Sequence, residues 1–71
     1  MDEKKLQEMV DEITKGKEFD RFQMSEIREG FKNGLSMKQV LLYAKPEFEA
    51  DIYNQQMQEI RLGIEHGLTI E

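Results

Sequence analysis

Residues 23–36 read QMSEIREGFKNGLS, and residues 56–69 read QMQEIRLGIEHGLT. Laid over one another at an offset of 33, the two stretches agree at eight of fourteen positions: Gln23 and Gln56, Met24 and Met57, Glu26 and Glu59, Ile27 and Ile60, Arg28 and Arg61, Gly30 and Gly63, Gly34 and Gly67, Leu35 and Leu68. Segments of ordinary composition would agree by chance at about one such position, so the pair reads as a duplication. Ser36 and Thr69 add a conservative match just after the shared Gly-Leu. Within each copy the apolar spacing is helical, with Met24, Ile27 and Phe31 in the first and Met57, Ile60 and Ile64 in the second at i, i+3 and i+7. A period in the thirties is typical of helix pairs that stack to bury a shared core.

Working outward from the pair, Leu6, Met9, Val10 and Ile13 predict a helix over about residues 2–15, with Gly16 placed for the left-handed conformation at its end. The first copy predicts a helix over about 20–33 that Gly34 stops, with Phe19 and Phe22 covering its junction with the leading helix. Ser36-Met37-Lys38-Gln39 has the form of a capping box. It opens a short helix whose Met37, Val40, Leu41 and Ala44 share a face and which Lys45-Pro46 closes, because the residue before proline is pushed out of the α region. The second copy predicts a helix over 48–66, with Tyr53, Met57, Ile60 and Ile64 as its stripe and Gly67 as its stop.

The expected fold is therefore all-α: a compact bundle of four helices, three longer and one short, containing a helix motif duplicated at a 33-residue offset. It forms one domain over residues 1–71, divided into a leading helix 1–16, a repeat helix 19–35, a short helix 36–45 and a second repeat helix 47–68. The expected core is Leu6, Met9, Val10, Ile13, Met24, Ile27, Phe31, Leu35, Val40, Leu41, Phe48, Tyr53, Met57, Ile60, Ile64 and Leu68. Gly30 and Gly63 lie inside helices, where each costs about 1 kcal/mol relative to Ala. They border the apolar stripe, so they are expected to admit a closely packed neighbouring helix. Arg28, Arg61, Gln23 and Gln56 flank the stripes and are expected to be structural, laying methylenes on the core and satisfying backbone or carboxylate partners.

The arrangement QMxEIRxGxxxGL, followed by Ser or Thr and then by Tyr43-Ala44-Lys45-Pro46-Glu47-Phe48, resembles tandem helical repeats of bacterial proteins that are often associated with mobile elements. The resemblance covers about residues 19–71 and leaves the leading helix outside it. It implies a repeat architecture and no particular activity.

The chain has 71 residues, and a domain of that size buries only about 60% of its unfolded surface, which leaves little room for a deep substrate cavity. Cysteine is absent, which excludes disulfides and thiolate metal sites. No apolar run approaches the roughly 18 residues of a membrane span, and the start is amphipathic; a cytoplasmic location is expected. The net charge is −5, with nine acids and nine bases in residues 1–46 and six acids against Arg61 in residues 47–71. His66 is the only histidine and lacks convergent partners for metal binding or general-base chemistry. No catalytic, metal-binding or cofactor-binding residue is expected, and no cofactor.

The leading expectation is a non-enzymatic protein-interaction module, in its sharper form a mobile-element-encoded inhibitor or adaptor. It would meet a basic protein partner through an acidic face made by Glu47, Glu49, Asp51, Glu59 and Glu65. A helix-turn-helix DNA-binding regulator is the rival, with residues 34–44 as first helix, Lys45-Pro46-Glu47 as turn and 48–66 as recognition helix. That helix carries the wrong sign of charge for phosphates, so nucleic acid is disfavoured. A structural domain excised from a longer repeat protein is the third reading.

Overall fold

Side-chain oxygens set three of the four helix starts. The computed structural model describes residues 2–67. Helix α1 spans Glu3–Thr14, and the carboxylate of Asp2 caps it by accepting from the Lys5 amide at 2.8 Å. At its other end the Lys17 amide donates to the Thr14 carbonyl at 3.0 Å, Lys15 lies at φ −57°, ψ 126° and Gly16 at φ +76°. This is a type II turn, whose third position favours glycine. Helix α2 spans Arg21–Lys32 and begins with a reciprocal capping box: Asp20 Oδ1 accepts from the Gln23 amide and Gln23 Oε1 from the Asp20 amide, both at 2.8 Å. It ends in a Schellman motif, with Leu35 N–H donating to the Gly30 carbonyl and Gly34 N–H to that of Phe31. Helix α3, Met37–Leu41, starts with the predicted capping box of Ser36 and Gln39. Helix α4, Gln56–Glu65, has Gln55 at its N-cap and no side-chain cap.

These elements form an all-α bundle of four helices, as expected. Helix α2 lies at its centre, packed against each of the other three, and α1 also meets α3. Leu6, Val10 and Ile13 from α1, Ile27 and Phe31 from α2, Leu35, Val40, Tyr43 and Ala44 from the α3 region, and Met57 and Ile64 from α4 make the buried core. Met9, Phe19, Met24, Met37, Phe48, Ala50 and Ile60 pack partly buried around it. The radius of gyration, 11.3 Å, is close to the roughly 11 Å of a compact chain of this length.

Three expectations are corrected. The short helix ends at Leu41 instead of running to residue 45, and Pro46 bars any continuation through Lys45. The chain tightens into turns in which the amides of Leu42 and Tyr43 reach back three residues, to Gln39 and Val40. That tightening buries Tyr43, absent from the expected core, and leaves Leu41 exposed. The fourth helix begins at Gln56, not residue 48. At the offset of 33 the counterpart of the Asp20 cap is Tyr53, whose hydroxyl stands at the far end of a rigid ring and cannot fold back onto its own helix start, and residues 46–55 stay irregular. Gln23 Nε2 instead donates to the carbonyls of Pro46 and Phe48 at 2.9 and 2.7 Å. Asp51 Oδ1 accepts from the amides of Tyr53 and Asn54 at 2.9 and 2.8 Å, a local turn that competes with helix. Tyr53, expected in the core, is consequently 92% exposed. Phe22, expected over the α1 junction, is also exposed and lies under the Arg21 guanidinium, 5.0 Å from its ring centre, whereas Phe19 packs on the core. Leu68 lies outside the described residues.

Candidate functional site

The α2–α4 contact is organised around one arginine. Ile60, Met57 and Ile64 bring α4 onto α2, which carries the Arg61 side chain into an environment where it is only 8% exposed. Arg61 Nε donates to Glu26 Oε1 and Arg61 Nη1 to Glu65 Oε2, both at 2.8 Å. Asn33 Nδ2 closes the group by donating to the same Glu65 oxygen at 2.9 Å. Burial pushes the Glu65 carboxyl upward, but the hydrogen bonds from Asn33 and Arg61 together with the guanidinium charge outweigh it and hold it below its ordinary 4.5. Burial likewise opposes charge on Arg61, and its bonds to Glu26 and Glu65 more than reverse that, raising it above its ordinary value. A guanidinium so matched by two carboxylates, one from each helix, holds α2 and α4 together.

On the same side of α2, Tyr43 Oη donates to the Glu26 carbonyl at 2.6 Å. A methyl at Gly30 would collide with that hydroxyl and would stand 3.2 Å from Tyr43 Cζ and 3.3 Å from a Leu35 methyl. Gly30 therefore does admit a neighbour, but the neighbour is a tyrosine ring from the turn after α3 and not a helix. Burial pushes the Tyr43 hydroxyl well above its ordinary 10, so it serves as a neutral donor.

The other repeated polar residues hold structural contacts. Gln23 ties the start of α2 to residues 46–48. Gln56 Oε1 accepts from the Glu49 amide at 3.3 Å, beside a 3.0 Å backbone bond from Met57 N–H to the Glu49 carbonyl. Arg28 is 32% exposed and reaches α1, donating to Gln7 Oε1 at 2.7 Å and Glu3 Oε1 at 3.1 Å.

The five acids expected to form one helical face do not share one. Glu47, Glu49 and Asp51 lie in the irregular stretch before α4, and only Glu59 and Glu65 are on the helix. Asp51 and Glu65 are bound internally, by backbone amides and by Arg61 with Asn33. Glu47, Glu49 and Glu59 remain exposed, with Glu49 Oε2 also accepting from Asn54 Nδ2 at 2.8 Å.

Sequence reasoning missed the apolar tip of this loop. Ile52 is 72% exposed beside Tyr53, held out by the Asp51 turn and by the bonds between Glu49 and residues 56–57. The missing cap at position 53 was the available signal. Among the described residues no helix is long and apolar enough to cross a membrane, and no three acidic or histidine side chains are grouped to hold a metal ion. Compared with protein-family models, curated proteins and solved structures, the chain matches none.

Proposed function

We propose that the protein is a non-enzymatic helical interaction module that presents carboxylates to a basic protein partner. The observation that carries this reading is the one-sided chemistry of residues 46–60, which hold Glu47, Glu49, Asp51 and Glu59 and no Lys or Arg. Three of those acids are exposed, and the adjoining Arg61 is consumed by Glu26 and Glu65. Negative potential of this kind steers encounter with a basic surface and repels phosphate. A sharper version, which draws on the resemblance to mobile-element repeats, is an adaptor or an inhibitor that occupies a nucleic-acid-binding surface by mimicking its charge.

The test is a pull-down from host extract with the wild-type chain and with Glu47→Lys, Glu49→Lys and Glu59→Lys combined. Capture that weakens with salt and is lost in the triple variant supports the reading. Tight, sequence-specific DNA binding at physiological salt would defeat it. The helix-turn-helix alternative, with α3 and α4 as its two helices, has less support: residues 42–55 separate them, where that motif uses a turn of about three or four residues. A structural repeat unit is the second reading, favoured by the matched helix ends at Asn33-Gly34 and His66-Gly67. It predicts that the purified chain folds but captures nothing.

A further inference from the structure

Among the described residues, the large apolar side chains standing exposed are Phe22, whose ring Arg21 covers, and four that fall between positions 41 and 53: Leu41, Leu42, Ile52 and Tyr53. They form two pairs with opposite electrostatic settings. Leu41 ends α3 and Leu42 follows it, between Lys38 and Lys45 in sequence, both exposed. Ile52 and Tyr53 stand at the loop tip after Glu47 and Glu49, likewise exposed. None of these four charged residues takes part in an ion pair among the described residues, where the pairs are Arg28 with Glu3 and Arg61 with Glu26 and Glu65. The two patches therefore complement each other in both apolar content and charge.

We infer that the occupant of this surface is a second copy of the chain: the Ile52–Tyr53 tip of one copy packs on Leu41 and Leu42 of the other, with Glu47 and Glu49 facing Lys38 and Lys45. Each copy owns both halves of the contact, so a two-fold pair makes it twice, as in an isologous dimer. The loop is already held by hydrogen bonds within the copy, so little ordering entropy opposes docking, and an exposed tyrosine with an aliphatic neighbour is the kind of anchor that dominates interfaces. Repulsion between two chains of net charge −5 is damped beyond about 8 Å at physiological ionic strength, whereas charges brought into contact by the docking are screened much less. This inference goes beyond capture of a basic partner and requires none.

Sedimentation velocity of the purified full chain, taken up to about 1 mM, tests it. The expected result is a mass that rises with concentration to twice the monomer. Ile52→Ser with Tyr53→Ser, which alter only exposed side chains, should weaken association at least about tenfold while circular dichroism stays unchanged. Lys38→Glu with Lys45→Glu should abolish it, as should Glu47→Lys with Glu49→Lys, by placing like charges face to face. Mixing these two charge-reversed proteins should restore association, because each then meets the complement of its altered patch. A monomer at every concentration overturns the inference, as does a serine variant that associates like wild type or a mixture that stays monomeric.

Discussion

Helices α2 and α4 share Gln-Met-x-Glu-Ile-Arg-x-Gly, yet they begin differently and end alike. At the C-terminal ends, Asn33 lies at φ −89°, ψ 8° and His66 at φ −87°, ψ 12°, followed by Gly34 at φ +94° and Gly67 at φ +88°. At the N-terminal ends, the Asp20 side chain caps α2 and no side chain caps α4. The shared arginine also diverges: Arg28 bridges to α1 near solvent, while Arg61 is enclosed by Glu26 and Glu65. The shared glycines thus end both helices alike because that determinant is local, and the shared arginines differ because a neighbour outside each arginine's own copy decides.

Four experiments would break or sharpen this contrast, beginning with the arginines. Arg61→Ala should destabilise the fold by about 3 kcal/mol, because it strands two largely buried carboxylates. Arg28→Ala should cost less than about 1 kcal/mol, the usual scale of an exposed pair. Urea denaturation of both variants measures the difference, and equal losses would erase the contrast.

Acid reaches the same group without mutation. Because the folded Glu65 carboxyl lies below its ordinary value, its stabilising contribution is complete above about 4.5 and is lost as pH falls through the folded value. Stability measured across that window should decline in wild type and decline less in Glu65→Gln.

Gly30→Ala should follow in size. Overpacking against Tyr43 costs about 1–3 kcal/mol, and the gain in helix propensity offsets about 1 kcal/mol of it, leaving a net loss of about 1 kcal/mol. The loss should shrink in a Tyr43→Phe background, since the hydroxyl is the nearest atom to the added methyl; a double-mutant cycle reads that coupling.

The smallest expected effect gives α4 the cap that α2 has. Tyr53→Asp places an acid three residues before Gln56, the spacing of Asp20 and Gln23. It should lengthen α4 at its start and raise stability by about 0.5 kcal/mol. Backbone chemical shifts of residues 54 and 55 moving toward helical values would bear this out, and unchanged shifts would show that the Asp51 turn controls the loop.

Much of the fold was legible in the residues. The apolar stripe Leu6, Val10, Ile13 and the stripe Ile27, Phe31 are buried as their spacing requires, and the Ser36–Gln39 box forms as written. The candidate surface was less so. Tyr53 and Met57 extend the helical spacing of Ile60 and Ile64 backwards, which places Glu47, Glu49 and Asp51 at the start of an expected helix over 48–66, but spacing alone cannot weigh an absent cap against the carbonyls that Gln23 claims from residues 46 and 48. Glu65 is expected at the surface from its sequence neighbours because one of its two partners, Asn33, comes from the other copy of the motif.

The sequence by itself determined the all-helical class, the caps, the glycine stops and most of the apolar stripes, because each depends on groups within about four residues of one another. Only the tertiary structure decided that Tyr43 fills the notch at Gly30, that Arg61 is buried while Arg28 is not, and that residues 46–55 leave the helix to expose Ile52 and Tyr53. The first two outcomes depend on contacts between residues 17 and 35 apart in the chain, and the third joins the local Asp51 turn to the carbonyls that Gln23 holds 23 and 25 residues away, where packing and burial outweigh the local preferences that a spacing pattern can report.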